Sequence, residues 1–365
     1  MIRRPVSPRI YSRLPFAISL LVPPTLVSPL NFAGPAAFPV APTTAPLTTL
    51  GPWELVRLIG EGSWCRVYQA RPVESPIGTP ADYAVKVLRP EFAQHAHAIV
   101  CLTQEAIVGR RVSHPHLMPV LAGHLGQAPY YLTLPLVAGD TLRNLLAGGR
   151  DTDWRTGSVS PLISREAPGA SQPPFTHRYH YLTGRPLEIP RALWIARQTA
   201  EALAALHQHG FAHGDVKPSN ILVARTGHVT LFDFGFARRI PEPPQSCVSQ
   251  PFAATPAYAA PELFLENTAA ARDPRSDCYS LGATLFEMLT GRIPFPDTNP
   301  IDLAAAHLHR RPPEPREFAP HLPPRVTRLL KRLLAKDPFR RPTADELVAT
   351  LVELEIETFD ERKAV

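Results

Sequence analysis

Cysteine is scarce in this chain and nowhere clustered. Its four cysteines, Cys65, Cys101, Cys247 and Cys278, stand singly in 365 residues, with no C-x-x-C pair and no histidine nearby at metal spacing. The pattern argues against a disulfide framework and a zinc site and suits a reducing compartment. Charge is sparse as well: 19% of residues are charged against 44% apolar, the balance of an ordinary soluble chain able to bury a large core. The net charge of +6 is local, because Arg3, Arg4, Arg9 and Arg13 supply +4 within the first fifty residues, which hold no acid, leaving +2 for the rest. A nucleic-acid binder needs a strong basic face on its folded part, so nucleic acid is not an expected partner. Long apolar runs are missing too. Leu14 to Trp53 has no charged residue, yet Pro15, Pro23, Pro24, Pro29, Pro35, Pro39, Pro42 and Pro46 interrupt it. A membrane helix needs about 20 unbroken apolar residues and a signal peptide an apolar core of roughly 7 to 15. Phe16 to Val22 barely reaches the lower bound. Residues 1–50 are therefore read as a disordered proline-rich tail, with a poor export or membrane signal as the alternative. Membrane association is not expected, and a cytoplasmic location is.

Proline is the excess, with 44 residues where average usage gives roughly 18. Long stretches must then lie outside helices and central strands, which excludes fibrous and coiled-coil readings. Order is expected from near Gly51. Leu55 to Ile59 and Arg66 to Ala70 read as strands joined by the glycine-bearing turn Gly60-Glu61-Gly62-Ser63-Trp64, and Asp82 to Leu88 reads as a third. Glu91 to Val112 reads as a helix ended by Ser113-His114-Pro115, followed by a strand pair, Val120 to His124 and Tyr130 to Leu134. Beyond Gly139 the pattern turns helical: Leu193, Ala196, Ala200, Leu203 and Leu206 recur at helical spacing across Arg191 to His209, behind Pro190 at a first helical position. Residues 148–188 show no periodicity and read as an irregular insertion, with disorder favoured. No internal repeat is present, and residues 356–365 read as a short tail.

Three features carry chemistry. Gly60-x-Gly62 in a strand-turn-strand lets the backbone approach a polyphosphate, although a bare hairpin turn looks the same. Ala84 and Lys86, two apart on a strand, share one face; the lysine is placed for an anion and the alanine leaves room for a flat ring, with a solvent-facing lysine as the plainer reading. His213-Gly214-Asp215-Val216-Lys217-Pro218-Ser219-Asn220 precedes the buried-strand pattern Ile221-Leu222-Val223, and Asp233-Phe234-Gly235 follows the next strand, His228 to Phe232. Two carboxylates and a carboxamide on adjacent loops suit magnesium bound to phosphates, with one aspartate left to accept a hydroxyl proton. An Asx-turn accident explains one such loop but not both.

These motifs together resemble the protein kinases, specifically the eukaryotic-like serine/threonine enzymes of bacteria, over about Trp53 to Glu353. The resemblance implies an α+β bilobal fold across residues 51–355: a small N-lobe (51–134) with an antiparallel sheet and one helix, a hinge (135–138), and a larger, mainly helical C-lobe (139–355). It implies ATP and Mg2+ as cofactors and a protein serine or threonine as acceptor. By the same likeness Gly60 to Val67 is a lid over ATP, Lys86 contacts the α- and β-phosphates, and Glu105 pairs with Lys86. Asp215 orients the acceptor hydroxyl, Lys217 steadies the γ-phosphate, and Asn220 and Asp233 bind magnesium. Ile59, Val67, Ala84 and Leu222 supply apolar surface about the adenine, Leu134 guards the back pocket, and Pro135 and Val137 offer the hinge carbonyl and N–H. Taken singly, each of these apolar residues also fits plain core packing. Arg341 is expected to pair with Glu262 of Ala260-Pro261-Glu262, and Asp277 to anchor the catalytic loop.

Two positions depart from the family pattern. Cys65 replaces the third lid glycine, which should stiffen the turn. Gly214 stands where many members carry an arginine that grips an activation-segment phosphate, so activity is expected not to require phosphorylation there; Ser246 and Ser249 are the candidate acceptors, or ordinary loop serines. Two further readings remain open. His-Gly-Asp with a following Asn also resembles aminoglycoside and choline kinases, although Lys217, Thr255, Ala260-Pro261-Glu262 and Arg341 match the protein-substrate type. Cys65, Gly214 and the insertion are compatible with a non-catalytic pseudokinase scaffold.

Overall fold

The strand beginning at Tyr83 shows how one period-two pattern serves two cores. Val85 and Val87 join Leu50, Leu55, Ala70 and Tyr131 in a small outer cluster, whereas Ala84 and Leu88 face the main core with Ile59, Leu132 and Leu134. The computed structural model describes residues 49–76, 78–148, 184–240, 255–265, 273–297 and 299–361. The expectations for residues 1–48, the interior of the insertion (149–183), Ser246 and Ser249 lie outside these. The main sheet is antiparallel, in the order β1 (Thr49–Leu50), β2 (Trp53–Glu61), β3 (Cys65–Pro72), β4 (Tyr83–Leu88), β6 (Tyr131–Pro135) and β5 (Ala122–His124). The strands expected from sequence are found within one or two residues of their expected ends.

Three boundaries need correction. The sheet begins at Thr49 rather than Gly51, because Leu50 is buried and pairs with Trp53. The expected helix over Glu91 to Val112 is instead a 3-10 turn at Pro90–Phe92 followed by α1 (Ala96–Arg111). His95 caps α1, its Nδ1 accepting the Ala98 N–H at 3.2 Å. The last helix continues to Glu361, past the expected boundary at 355, since Leu347, Leu351, Leu354 and Thr358 all bury one stripe.

After β7 (Gly139–Thr141) the chain is mainly helical: α2 (Leu142–Leu146), α3 (Ile189–Gln208), α4 (Arg275–Thr290), α5 (Pro300–His309), α6 (Pro315–Phe318), α7 (Pro324–Leu333) and α8 (Ala344–Glu361). Short strands β8 (Phe211–Ala212), β9 (Ile221–Ala224), β10 (Val229–Leu231) and β11 (Arg238–Arg239) carry the loops between α3 and α4. Pro190 sits in the first turn of α3, where no donor is lost; Ala192, Ala196 and Ala200 are fully buried on this helix, which packs against α4 and α8. Helix α4 is buried on every side from Ser276 to Thr290, the pattern of a helix at the centre of its lobe. A sheet lobe with one long helix joined to a helical lobe is the α+β bilobal architecture the resemblance implied. Across the junction, Met118 N–H donates to Leu231 O at 3.0 Å and Leu231 N–H to His116 O at 2.9 Å.

Candidate active site

Lys86 lies on the inner face of β4, and that placement decides its partners. Its Nζ donates to Glu105 Oε2 at 2.6 Å and to Asp233 Oδ1 at 2.9 Å, tying β4, α1 and the loop after β10 together. The Lys86 side chain is 15% exposed and that of Glu105 5%. Burial works against the charged lysine, but Asp233 and Glu105 hold its pKa well above the ordinary value. Burial pushes Glu105 up to about 6, with Asp233 adding to the rise and Lys86 opposing it. Burial also works against the Asp233 carboxylate, yet Lys86, with Lys217 and His213 behind it, keeps its pKa below the usual range. Asp233 is the only non-glycine among the described residues with positive φ, at 68°. Such strain persists where surrounding contacts over-determine it, and here the ion pair with Lys86 does so.

A second group surrounds Asp215, itself only 4% exposed. Its Oδ2 takes Lys217 Nζ at 2.5 Å and Asn220 Nδ2 at 3.1 Å, while Oδ1 takes the Thr255 N–H at 3.0 Å. Asn220 also donates to Asp215 O at 2.9 Å. Both partners are acceptors, which fixes the amide orientation and leaves its carboxamide oxygen outside both bonds. Lys217 Nζ further reaches Thr255 Oγ1 at 2.5 Å. The backbone ties the two groups together: Phe232 N–H, next to Asp233, donates to Asn220 O at 3.1 Å, and His213 Nε2 lies 3.2 Å from Phe232 O.

The supports beneath this loop are buried. Asp277 accepts the N–H of His213 at 2.8 Å and of Gly214 at 2.9 Å, and His207 Nε2 lies 2.9 Å from the same carboxylate. Burial would raise the pKa of Asp277, but the bond and charge of His207 hold it at about 2. Arg341 forks onto Glu262 at 2.6 and 2.7 Å with both side chains at most 3% exposed, as the sequence led one to expect. Sequence reasoning missed a third link, buried at Glu287 and Tyr258 and partly exposed at Arg143: Arg143 of α2 donates to Glu287 Oε1 at 2.7 Å, and Tyr258 donates to Glu287 Oε2 at 2.6 Å and also meets Arg143. These three residues are far apart along the chain and match no short motif, so no local signal marked them.

Of the apolar candidates, Ile59, Val67, Ala84, Leu134 and Val137 share the main core, while Leu222 is buried outside that cluster. Ile59, Ala84, Leu134 and Leu222 are buried, and Val67 and Val137 are partly buried against the main core. Ala84 pairs directly with Leu134 and Gly60 with Val67. The hinge proline has a structural reason. Leu136 N–H donates to Asp82 O at 2.9 Å, which makes Tyr83 and Pro135 a non-hydrogen-bonded pair, so the ladder makes no use of the N–H that proline lacks. At the lid, the Gly62 N–H closes the turn onto Cys65 O at 2.8 Å. Cys65 is the first residue of β3 and pairs with Leu88; burial pushes its thiol up to about 11. Gly214 has φ 82°, and a Cβ there would fall 2.5 Å from Phe236 O. This backbone therefore does more than lack an arginine: it leaves no room for a side chain.

The chain matches the protein kinase domain family over residues 53–351. It is 28% identical over 305 residues to the serine/threonine-protein kinase PrkC of Bacillus subtilis, covering 82% of this chain and 40% of that protein. It is 30% identical over 307 residues to the serine/threonine-protein kinase PknB of Mycolicibacterium smegmatis, covering 82% and 42%. To the serine/threonine-protein kinase PknA of Mycobacterium tuberculosis it is 31% identical over 315 residues, covering 83% and 62%. The matches thus span only about two fifths of the first two relatives and under two thirds of the third. With the family matched over most of its length and its motif residues brought together as described, the chain belongs to the protein kinase family and is similar to its bacterial serine/threonine members.

Proposed function

We propose that this chain transfers the γ-phosphoryl group of ATP to serine or threonine hydroxyls of protein substrates in bacterial-type signalling, from a cytoplasmic location. The observation that carries the reading is the pair of groups on adjacent loops, Lys86 with Glu105 and Asp233, and Asp215 with Lys217 and Asn220, joined by the Phe232 N–H to Asn220 O bond at 3.1 Å. The donor set fits the cofactors. Among the described residues no cluster of three or more His, Cys, Asp or Glu would hold a metal unaided. That suits magnesium bound largely through phosphate oxygens, with Asn220 and Asp233 as the protein's contribution. Bound there, Mg2+ would neutralise charge on the transferring phosphoryl group.

The protein's own part is positioning. Lys86, held charged by two carboxylates, would meet the α- and β-phosphates. Asp215 would trade one of its present donors for the acceptor hydroxyl and orient it, and Lys217 would stay beside the γ-phosphate while tethered to Thr255. Gly60, Gly62 and Val67 would cover the phosphates. Ile59, Ala84, Leu134 and Leu222 would enclose the adenine, with Pro135 O and Val137 N–H reading its edge. Such a reaction passes through a loose transition state and gains mostly from alignment and charge neutralisation.

The His213-Gly214-Asp215 loop supports an enzyme that needs no activation-segment phosphate, since no arginine fits at position 214. The scaffold reading loses ground because Lys86, Glu105, Asp215, Asn220 and Asp233, of which drifted pseudokinases usually lose at least one, are all present and hydrogen-bonded. No helix among the described residues is long and apolar enough to cross a membrane. The test is transfer from Mg-ATP to a general protein acceptor, with an aminoglycoside as the competing acceptor. Lys86→Met and Asp215→Asn should each lower turnover by about a thousandfold while nucleotide affinity falls less. Unchanged turnover in either variant, or preference for the aminoglycoside, contradicts the assignment.

A further inference from the structure

A tryptophan at the tip of a surface turn would ordinarily be exposed, yet Trp64, between β2 and β3, is partly buried against the main core. Its ring lies 5.1 Å from that of His97 in an edge-on arrangement, 6.1 Å from His95 and 6.2 Å from Phe236. His97 and Phe236 are themselves 6.5 Å apart, which closes a triangle of rings at separations where aromatic pairs attract. The backbone of the turn is fixed in the same sense. Arg89 N–H donates to Trp64 O at 2.8 Å, and Arg89 Nη1 to Ser63 O at 3.3 Å.

Each of these rings lies on, next to or one strand away from an element that holds a member of the central ion pair. Trp64 leads into β3, whose Val67 pairs with Lys86. His95 caps α1 and His97 lies in its first turn, on the helix that bears Glu105. Phe236 ends the short 3-10 turn directly after Asp233. We propose that Trp64 is a positioning residue: its ring ties the lid to the first turn of α1 and to Phe236, and so keeps Lys86, Glu105 and Asp233 in register for phosphoryl transfer. Trp64 acts through α1, Phe236 and the β3–β4 pairing rather than on the reacting groups. The inference rests on the kinase activity proposed above.

The experiment uses the full chain with Trp64→Ala, Trp64→Phe, His97→Ala and the double variant Trp64→Ala/His97→Ala, beside Asp215→Asn as the inactive reference. Phosphorylation of a general protein acceptor is followed as a function of Mg-ATP concentration, and amide hydrogen exchange is read in parallel. Trp64→Ala should lower kcat/KM for ATP at least tenfold, mostly through kcat. Trp64→Phe should stay within threefold of the parent, and the double variant should fall no further than Trp64→Ala alone. Exchange should quicken selectively at Ala96–Cys101 and Phe234–Ala237 in both Trp64→Ala and His97→Ala. Parental kcat/KM in Trp64→Ala, losses that multiply in the double variant, or unaltered exchange in those two segments would overturn the proposal. The exchange measurement decides it even if the parent chain proves inactive, an outcome that would instead sink the activity on which it rests.

Discussion

Glu105 makes stability and activity respond to pH in opposite senses. Burial raises its pKa from an ordinary 4.5 to about 6, so the folded chain binds this proton more tightly than the unfolded chain does. Its contribution to stability is therefore fullest below pH 4.5 and is lost as pH rises through about 6. The ion pair with Lys86, by contrast, needs the carboxylate. The expected result is that kcat/KM falls close to tenfold per pH unit below about 6, while Glu105→Gln gives a low rate without this limb. In chemical unfolding, the parent should lose stability relative to Glu105→Gln between pH 5 and pH 7; a difference independent of pH would contradict the assignment. Lys86, Asp215, Asn220 and Asp233 were legible in local motifs, whereas Glu105 was legible only through the family resemblance those motifs carry. Trp64 and the link among Arg143, Tyr258 and Glu287 were not legible, because ring contacts and long-range forks arise only once separate elements pack.

At the scale of elements, the turn after α4 is the least tolerant position. Gly291 ends that helix at φ 71°, and a Cβ would fall 2.2 Å from Gly184 O, whose own N–H donates to Gly291 O at 2.8 Å. Gly291→Ala combines positive-φ strain with a backbone clash and should cost on the order of 2 kcal/mol. The denaturant midpoint reads that loss, and KM for ATP should be unchanged because the turn lies outside the proposed catalytic residues. A variant as stable as the parent would refute the argument. Most strands and α3 were readable from periodicity and proline. The start of α1 was not: its cap is the His95 imidazole rather than Ser, Thr, Asp or Asn, the residues by which a helix start is usually recognised. The strand β1 escaped notice because two residues carry no period; tertiary burial of Leu50 makes it.

For the whole molecule, Asp277 holds the loop backbone at His213 and Gly214, at a position whose backbone leaves no room for an arginine side chain. An enzyme so built should be active as synthesised. Ser246→Ala/Ser249→Ala should retain turnover within about twofold of the parent, measured after phosphatase treatment of both; a collapse would show that the activation segment must be phosphorylated. The bilobal architecture was legible because its motifs lie in a fixed order along the chain, and the closeness of Lys86 to Asp233 across the two lobes is what the folded chain adds. The most direct test of that closeness in function is the Mg-dependent rate of transfer from γ-labelled ATP to protein serine and threonine, in the parent and in Asp233→Ala. The account predicts transfer by the parent and its loss, by about a thousandfold, in the variant; a variant that transfers label at the parental rate would contradict it.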